Sequence, residues 1–285
     1  MSSHRDRYGH PQSTCRRRSL RTPSPQFRAT VVARGDPQLL IGALSGVLSA
    51  AVTTVPQPPP TTSWDDPAYR EAVIDLLGVL AYTELVAFER LASDTVLAPS
   101  IGDKAQLAAM AAAEVRHMVK LRERLTALGH DPDQAMSPFV LPLQDFHAKT
   151  APSDWLESLV KAYVGDGIAA DFYREMANFV DPETRALVQE VFEDTGHAAF
   201  AVATVRAAIA TDPRLAGRLA LWGRRLVGEA MSQAQRVAAD RDALASLLLG
   251  QVGESGGVDL MQLGEMFDRL TCAHTQRMEA LGLQS

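Results

Sequence analysis

Two short segments carry a carboxylate and a histidine three residues apart, Glu114-Val-Arg-His117 and Asp194-Thr-Gly-His197. Residues three apart on an α-helix share a face, so each pair can offer one carboxylate oxygen and one imidazole nitrogen to the same ion. A single pair of this kind arises readily by chance. The first gains weight from its surroundings, because the same helical face carries Leu107, Met110, Ala111, Met118 and Leu121. An isolated carboxylate among such residues is costly to bury, and a metal ion would supply the missing partner.

The segments that precede these pairs complete a pattern. Glu84, 30 residues before Glu114, has Leu77, Leu80, Ala81, Ala87, Phe88 and Leu91 as helical neighbours. Asp166, 28 residues before Asp194, has Leu159, Ala162, Tyr163, Ala169, Ala170 and Tyr173. The chain therefore holds two similar halves, each an acid on an apolar face, a turn, and an acid-x-x-His helix. Four helices turning carboxylates towards one axis, two of them adding histidine, match the carboxylate-bridged di-iron or di-manganese arrangement of helical bundles. Carboxylate and imidazole together suit iron or manganese, and zinc is chemically allowed.

The candidate metal ligands are thus Glu84, Glu114, His117, Asp166, Asp194 and His197. Glu89 competes with Glu84, Asp171 and Glu175 with Asp166, and Glu190 and Glu193 with Asp194. The lone histidines His147 and His274 are expected at the surface or hydrogen-bonded. Gly165 and Gly167 flank Asp166 and each costs a helix interior about 1 kcal/mol, so tight packing beside the site is expected there.

The elements that must position these residues are helical. Periodicity predicts long helices over about 68–96, 103–129, 153–180, 183–210, 213–249 and 258–281. Asp181-Pro182 and Asp212-Pro213 read as an N-cap followed by a proline at the first helical position, and Ser153 precedes Asp154-Trp-Leu-Glu157 in a similar way. Gly129 and Gly250 mark helix ends. The proline-rich 130–152 segment is too long for a tight turn and reads as the crossover between two helical hairpins. The fold class is all-α, a ferritin-type four-helix bundle with additional C-terminal helices over residues 63–285, preceded by a disordered extension over 1–62.

Composition agrees with this and narrows the function. The chain is 46% hydrophobic and only 6% aromatic. Residues 1–35 hold eight Arg against one acid, Asp6; removing these from the chain's 28 basic and 34 acidic residues leaves 20 and 33, a net of −13. So acidic a body has no general attraction for phosphates. The apolar stretch from Leu39 to Val52 is short for a membrane span, and the distant Cys15 and Cys272 form no disulfide framework, which fits a reducing cytoplasm. Arg214, Arg218, Arg224, Arg225, Arg236 and Arg241 lie along the fifth predicted helix, where a solvated face paired with acids is expected rather than a polyanion-binding strip. There is no Gly-rich phosphate loop, no CxxC pair and no G-x-S-x-G elbow.

At Ala81-Tyr-Thr-Glu84, Ala113-Glu-Val-Arg-His117, the run from Lys161 to Arg174, Asp194-Thr-Gly-His197, and the runs Leu219–Glu229 and Ala238–Arg241, the sequence resembles an actinobacterial ferritin-like family related to MiaE, the tRNA-(2-methylthio-N6-isopentenyladenosine) hydroxylase. The likeness covers about 66–285. It implies a non-haem di-iron monooxygenase of the cytoplasm, holding two iron ions, that takes O2 and two electrons from a donor to hydroxylate a tRNA base or a small hydrophobic substrate. A homodimer is compatible with it. The chain departs from the di-iron pattern in carrying Asp166 and Asp194 where glutamates are expected, each one methylene shorter. Two other readings stand beside this one: a metal-binding or peroxide-scavenging protein, and a helical scaffold whose site has decayed.

Overall fold

The computed structural model describes residues 64–192, 197–249 and 260–284. The expected extension over 1–62 lies outside these residues, as do Asp194 and Gly250. Helix α1 spans Pro67–Asp94, with proline at its first position and Asp66 accepting the Ala68 amide at 2.9 Å. A 3-10 turn, Thr95–Leu97, leads to α2, Ile101–Ala127, where Ser100 Oγ accepts the Asp103 amide at 3.1 Å. Helix α2 is followed by Gly129 at φ 79°, a left-handed position that glycine adopts without a Cβ penalty. The two helices form the most extensively packed pair in the molecule.

The 130–152 crossover is more ordered than its prolines suggest. It carries α3 (Pro132–Met136), a 3-10 turn (Ser137–Phe139) and α4 (Val140–Lys149). Pro132 opens its helix and Pro142 falls in a first turn, where the missing amide hydrogen costs nothing.

Helix α5 spans Trp155–Met176. Its N-cap is Asp154 rather than Ser153: Asp154 Oδ1 accepts the Glu157 amide at 2.9 Å, and Glu157 Oε2 accepts the Ser153 amide at 2.8 Å. This reciprocal bonding satisfies the Glu157 amide of the first turn and the Ser153 amide just before the cap. Helix α6, Pro182–Val191, starts as expected with Asp181 Oδ1 accepting the Thr184 amide at 3.0 Å. The single helix predicted over 183–210 is divided. Helix α6 ends at Phe192, with φ −99° and ψ 19°, and α7 spans His197–Thr211.

Helix α8 spans Leu215–Asp240, α9 Asp242–Leu248 and α10 Leu260–Ala280. Helix α8 starts two residues later than Asp212-Pro213 predicts, because Asp212 Oδ1 bonds the Arg214 amide at 3.1 Å in a local turn that the helix follows. The predicted helix over 213–249 breaks at Arg241, whose backbone leaves the helical region at φ −130°, ψ 82°. Helix α8 packs on α4 and α5, α9 on α1, and α10 on α5. Of the arginines expected to meet acids, Arg214 pairs with Asp212, Arg218 with Asp154 and Glu157, Arg236 with Asp145, and Arg241 with Asp75. Arg224 and Arg225 instead donate to the carbonyl oxygens of Gln284 and Lys149.

The apolar interior is two clusters. One gathers Tyr69, Leu76 and Ala81 of α1, Leu121 and Leu125 of α2, Phe139, Met176, Val188, Val191 and Leu247. The other gathers Leu91 of α1, Leu107 and Ala111 of α2, Leu159 and Val164 of α5, Ala201 and Val205 of α7, Leu219 and Met278. Three bundle helices cross from one to the other: α1 between Ala81 and Leu91, α2 between Ala111 and Leu121, and α5 between Val164 and Met176. Glu84, Glu114, His117 and Asp166 fall in these three gaps. Among the described residues no helix is long and apolar enough to cross a membrane.

Candidate metal centre

Glu84 stands mid-way along α1 with 3% of its surface accessible, and α2 brings Glu114 and His117 against it. His117 Nδ1 lies 3.2 Å from Glu84 Oε2 and 3.6 Å from Glu114 Oε2. One ligand atom from each of the three falls within 4.8 Å of the others, a separation that a single ion can bridge. The i,i+3 spacing of Glu114 and His117 delivers both from one face, and the opposed run of α1 supplies the third.

Asp166 enters from α5. Its charge and that of Glu114 act on Glu84, whose pKa is raised well above the usual range, first by burial and then by the hydrogen bond and charge of Glu114. Asp166 itself is raised by burial and by Glu114, with Lys161 opposing. Although the surrounding helices desolvate it, Asp166 is exposed, so its carboxylate borders open space rather than packed side chains. Glu84 and Glu114 sharing a hydrogen bond means that one of them holds a proton, the usual outcome where two carboxylates meet in a dry site.

The competing acids are engaged elsewhere. Asp171 pairs with Arg277 and Arg174, Glu175 with Arg269, and Glu190 with Lys120 at 2.5 Å. Glu89 is half exposed beside Arg90. His197 is the first residue of α7, and its side chain lies outside the described residues, as do Glu193 and Asp194.

Two residues at the centre were not singled out by spacing alone. Tyr173 lies within reach of Glu84's charge and hydrogen-bonds Thr83, and burial pushes its phenol up to about 12. Its ring stacks on Phe192 at 5.8 Å. Its signal was its place two turns after Asp166 on the same face. Lys161, 7% accessible, donates from Nζ to the Thr150 carbonyl at 2.7 Å, and burial lowers its pKa to about 8. It lies close enough to both Asp94 and Asp166 for their charges to favour its ammonium form.

The lone histidines His147 and His274 are both partly buried. Neither sits simply at the surface or in a hydrogen bond through Nδ1. In both, that nitrogen is buried without a partner, and burial lowers the pKa to about 3 for His147 and about 4 for His274. The glycine expectation holds at Gly167, where an added Cβ would fall 2.2 Å from Arg277 Nε, but not at Gly165, which has nothing within 4 Å.

A helical bundle with two carboxylates and a histidine gathered at mid-height, and a third carboxylate in electrostatic contact, defines a ferritin-like protein with a potential metal site. The family described as "Ferritin-like domain, actinomycetes" matches residues 67–251, well over half of the chain, and the protein belongs to it. No curated protein matches the chain.

Proposed function

We propose that the protein is a non-haem two-metal oxidoreductase, an O2-dependent hydroxylase-like enzyme related to MiaE, with iron as the working metal and manganese as the substitute. The observation that carries this reading is the convergence of Glu84, Glu114 and His117, with Asp166 beside them, in the polar layer between the two apolar clusters. The donor set fits the metal: hard carboxylates with one imidazole, in a site where metal-free carboxylates must hold protons to coexist. Glu84, Glu114 and His117 would hold one ion, and Asp166, Asp194 and His197 would complete a second. Iron when bound supplies O2 activation and one-electron chemistry. The chain's own part is to shield Glu84 from water among the buried Leu80, Ala81, Met110 and Leu121, to keep the Tyr173 phenol protonated near Glu84, and to set the Lys161 charge against the surplus of acid. The substrate would be a tRNA-linked base or a small hydrophobic molecule, with a separate electron donor.

One observation favours a second reading. Glu84, Glu114 and His117 together offer ligands for a single ion, which suits a one-metal site or a peroxide-scavenging protein without organic substrate. Anaerobic iron titration separates the two. The leading reading expects saturation near two equivalents per chain and O2 consumption by the reduced protein. A plateau at one equivalent supports the second, and no binding would leave only the scaffold.

A further inference from the structure

Helix α10 is packed against α5 beside the metal centre, and the contact is unusual in its polar residues. Arg277 lies in a notch that exists because residue 167 has no side chain: a Cβ there would meet its Nε at 2.2 Å, its Cδ at 2.6 Å and its Cζ at 2.7 Å. From that notch Arg277 Nη2 bonds Asp171 Oδ2, while Nη1 is buried with no hydrogen-bond partner. One turn earlier on the same helix face, His274 Nδ1 is also buried and unbonded. A buried guanidinium nitrogen without an acceptor is destabilising, the more so when charged, so a native structure that leaves one in place next to a second orphan calls for an acceptor.

The charge around the notch indicates its kind. Arg277 and Arg174 both approach Asp171, so that two cations share one carboxylate at the notch. Burial, and after it the Arg277 charge, keeps His274 neutral, so the imidazole can donate as readily as accept. The notch opens one residue from Asp166, at a stretch of α5 where residues 165–169 all keep accessible surface.

We propose that Arg277 and His274, seated against the Gly167 notch, recognise an oxyanion, the carboxylate or phosphate of a substrate presented to the neighbouring centre. The role of substrate site rests on the enzymatic reading above. Oxyanion binding itself does not, and metal-free protein is used to test it.

Inorganic phosphate and acetate are titrated separately into metal-free wild-type protein, with binding followed by calorimetry and by amide shifts of α10. Saturable binding of either is expected, the tighter of the two naming the source. Arg277→Gln should weaken it at least tenfold, and Gly167→Ala, by pushing the guanidinium out, several-fold. Asp171→Asn should tighten it several-fold, because the competing carboxylate is gone. That gain cannot come from a damaged fold. Absence of binding in the wild type, or equal affinities in wild type, Arg277→Gln and Asp171→Asn, overturns the proposal. Iron titration of Arg277→Gln completes the test: unchanged metal stoichiometry is expected, and loss of metal together with anion would show that Arg277 only props the bundle. Should the wild type bind phosphate but no metal, the oxyanion site stands and the enzymatic reading falls.

Discussion

Arg241 reaches across from the end of α8 to Asp75, 166 positions earlier in the chain, with Nε 2.8 Å from Oδ2. Asp75 is 3% accessible, and even with this partner burial outweighs the arginine and raises its pKa. The helix breaks at Arg241 to make that reach. Removing one member of a buried pair strands the other charge, which costs more than the pair was worth. Arg241→Ala should therefore destabilise the protein by about 3 kcal/mol, measured by urea denaturation, and adding Asp75→Asn to it should recover part of the loss. Additive losses would show that the pair is not coupled.

The acid cluster sets the pH dependence of the metal-free protein. Glu84 and Asp166 both have raised pKa values in the folded state. A raised acid binds its proton more tightly when folded, so its contribution is full below the unfolded value, 4.5 for Glu84, and is lost as pH rises through the folded value. The melting temperature of the metal-free protein should fall from pH 5 to pH 8. Metal requires the deprotonated ligands, so the stabilisation it brings should grow over the same interval. A flat metal-free profile would mean that these carboxylates are solvated.

Asp166→Asn removes one like charge at nearly constant shape. The metal-free form should gain about 1 kcal/mol at most, because water reaches Asp166 and screens it, while the rise in melting temperature on adding iron should shrink. Stabilisation by ligand follows RT ln(1 + [L]/Kd), about 2.7 kcal/mol at a hundredfold excess, so a weakened site is visible in that increment. An unchanged response to iron would remove Asp166 from the ligand set.

Two glycines should respond differently to alanine. At Gly78 a Cβ would meet the Ala135 carbonyl oxygen at 2.2 Å and its carbon at 2.7 Å, backbone that cannot yield without moving α3. The helix gains about 1 kcal/mol in propensity, but overpacking costs about 1–3 kcal/mol, so Gly78→Ala should destabilise. At Gly223 the neighbours are Met278 Cε at 2.6 Å and Sδ at 2.8 Å, the far end of a flexible side chain. Gly223→Ala should be close to neutral. Equal melting temperatures for the two variants would contradict this.

Apolar periodicity carried the bundle, since a face such as Leu77, Leu80, Ala81 and Leu91 has no other economical reading. It also carried Glu84, Glu114 and His117 into one place, because an acid inside such a face must find company. What periodicity could not show were breaks made by tertiary contacts. The interruption at Arg241 exists for Asp75, and helix-forming residues run on both sides of it. Helices α3 and α4 were hidden because prolines that seemed to forbid helix sit in first turns. The notch at Gly167 was legible only as an unexplained cost; its occupant, Arg277, comes from 110 residues further on and has no local signal. Choosing Asp166 over Asp171 was likewise beyond spacing alone, since that choice turns on Arg277.

The division of the apolar interior bears on how the molecule comes apart. Two separate oily regions, joined along α1, α2 and α5 through a layer of acids, need not melt as one unit. Without metal, the layer between them is held by shared protons and by repulsion partly relieved, and hydrogen exchange should show two groups of amides with different opening energies. An ion bound to Glu84, Glu114 and His117 would tie α1 to α2 at the seam where the two regions meet. It would thus act as a keystone, turning two loosely coupled halves into a single cooperative body whose exchange and unfolding proceed together.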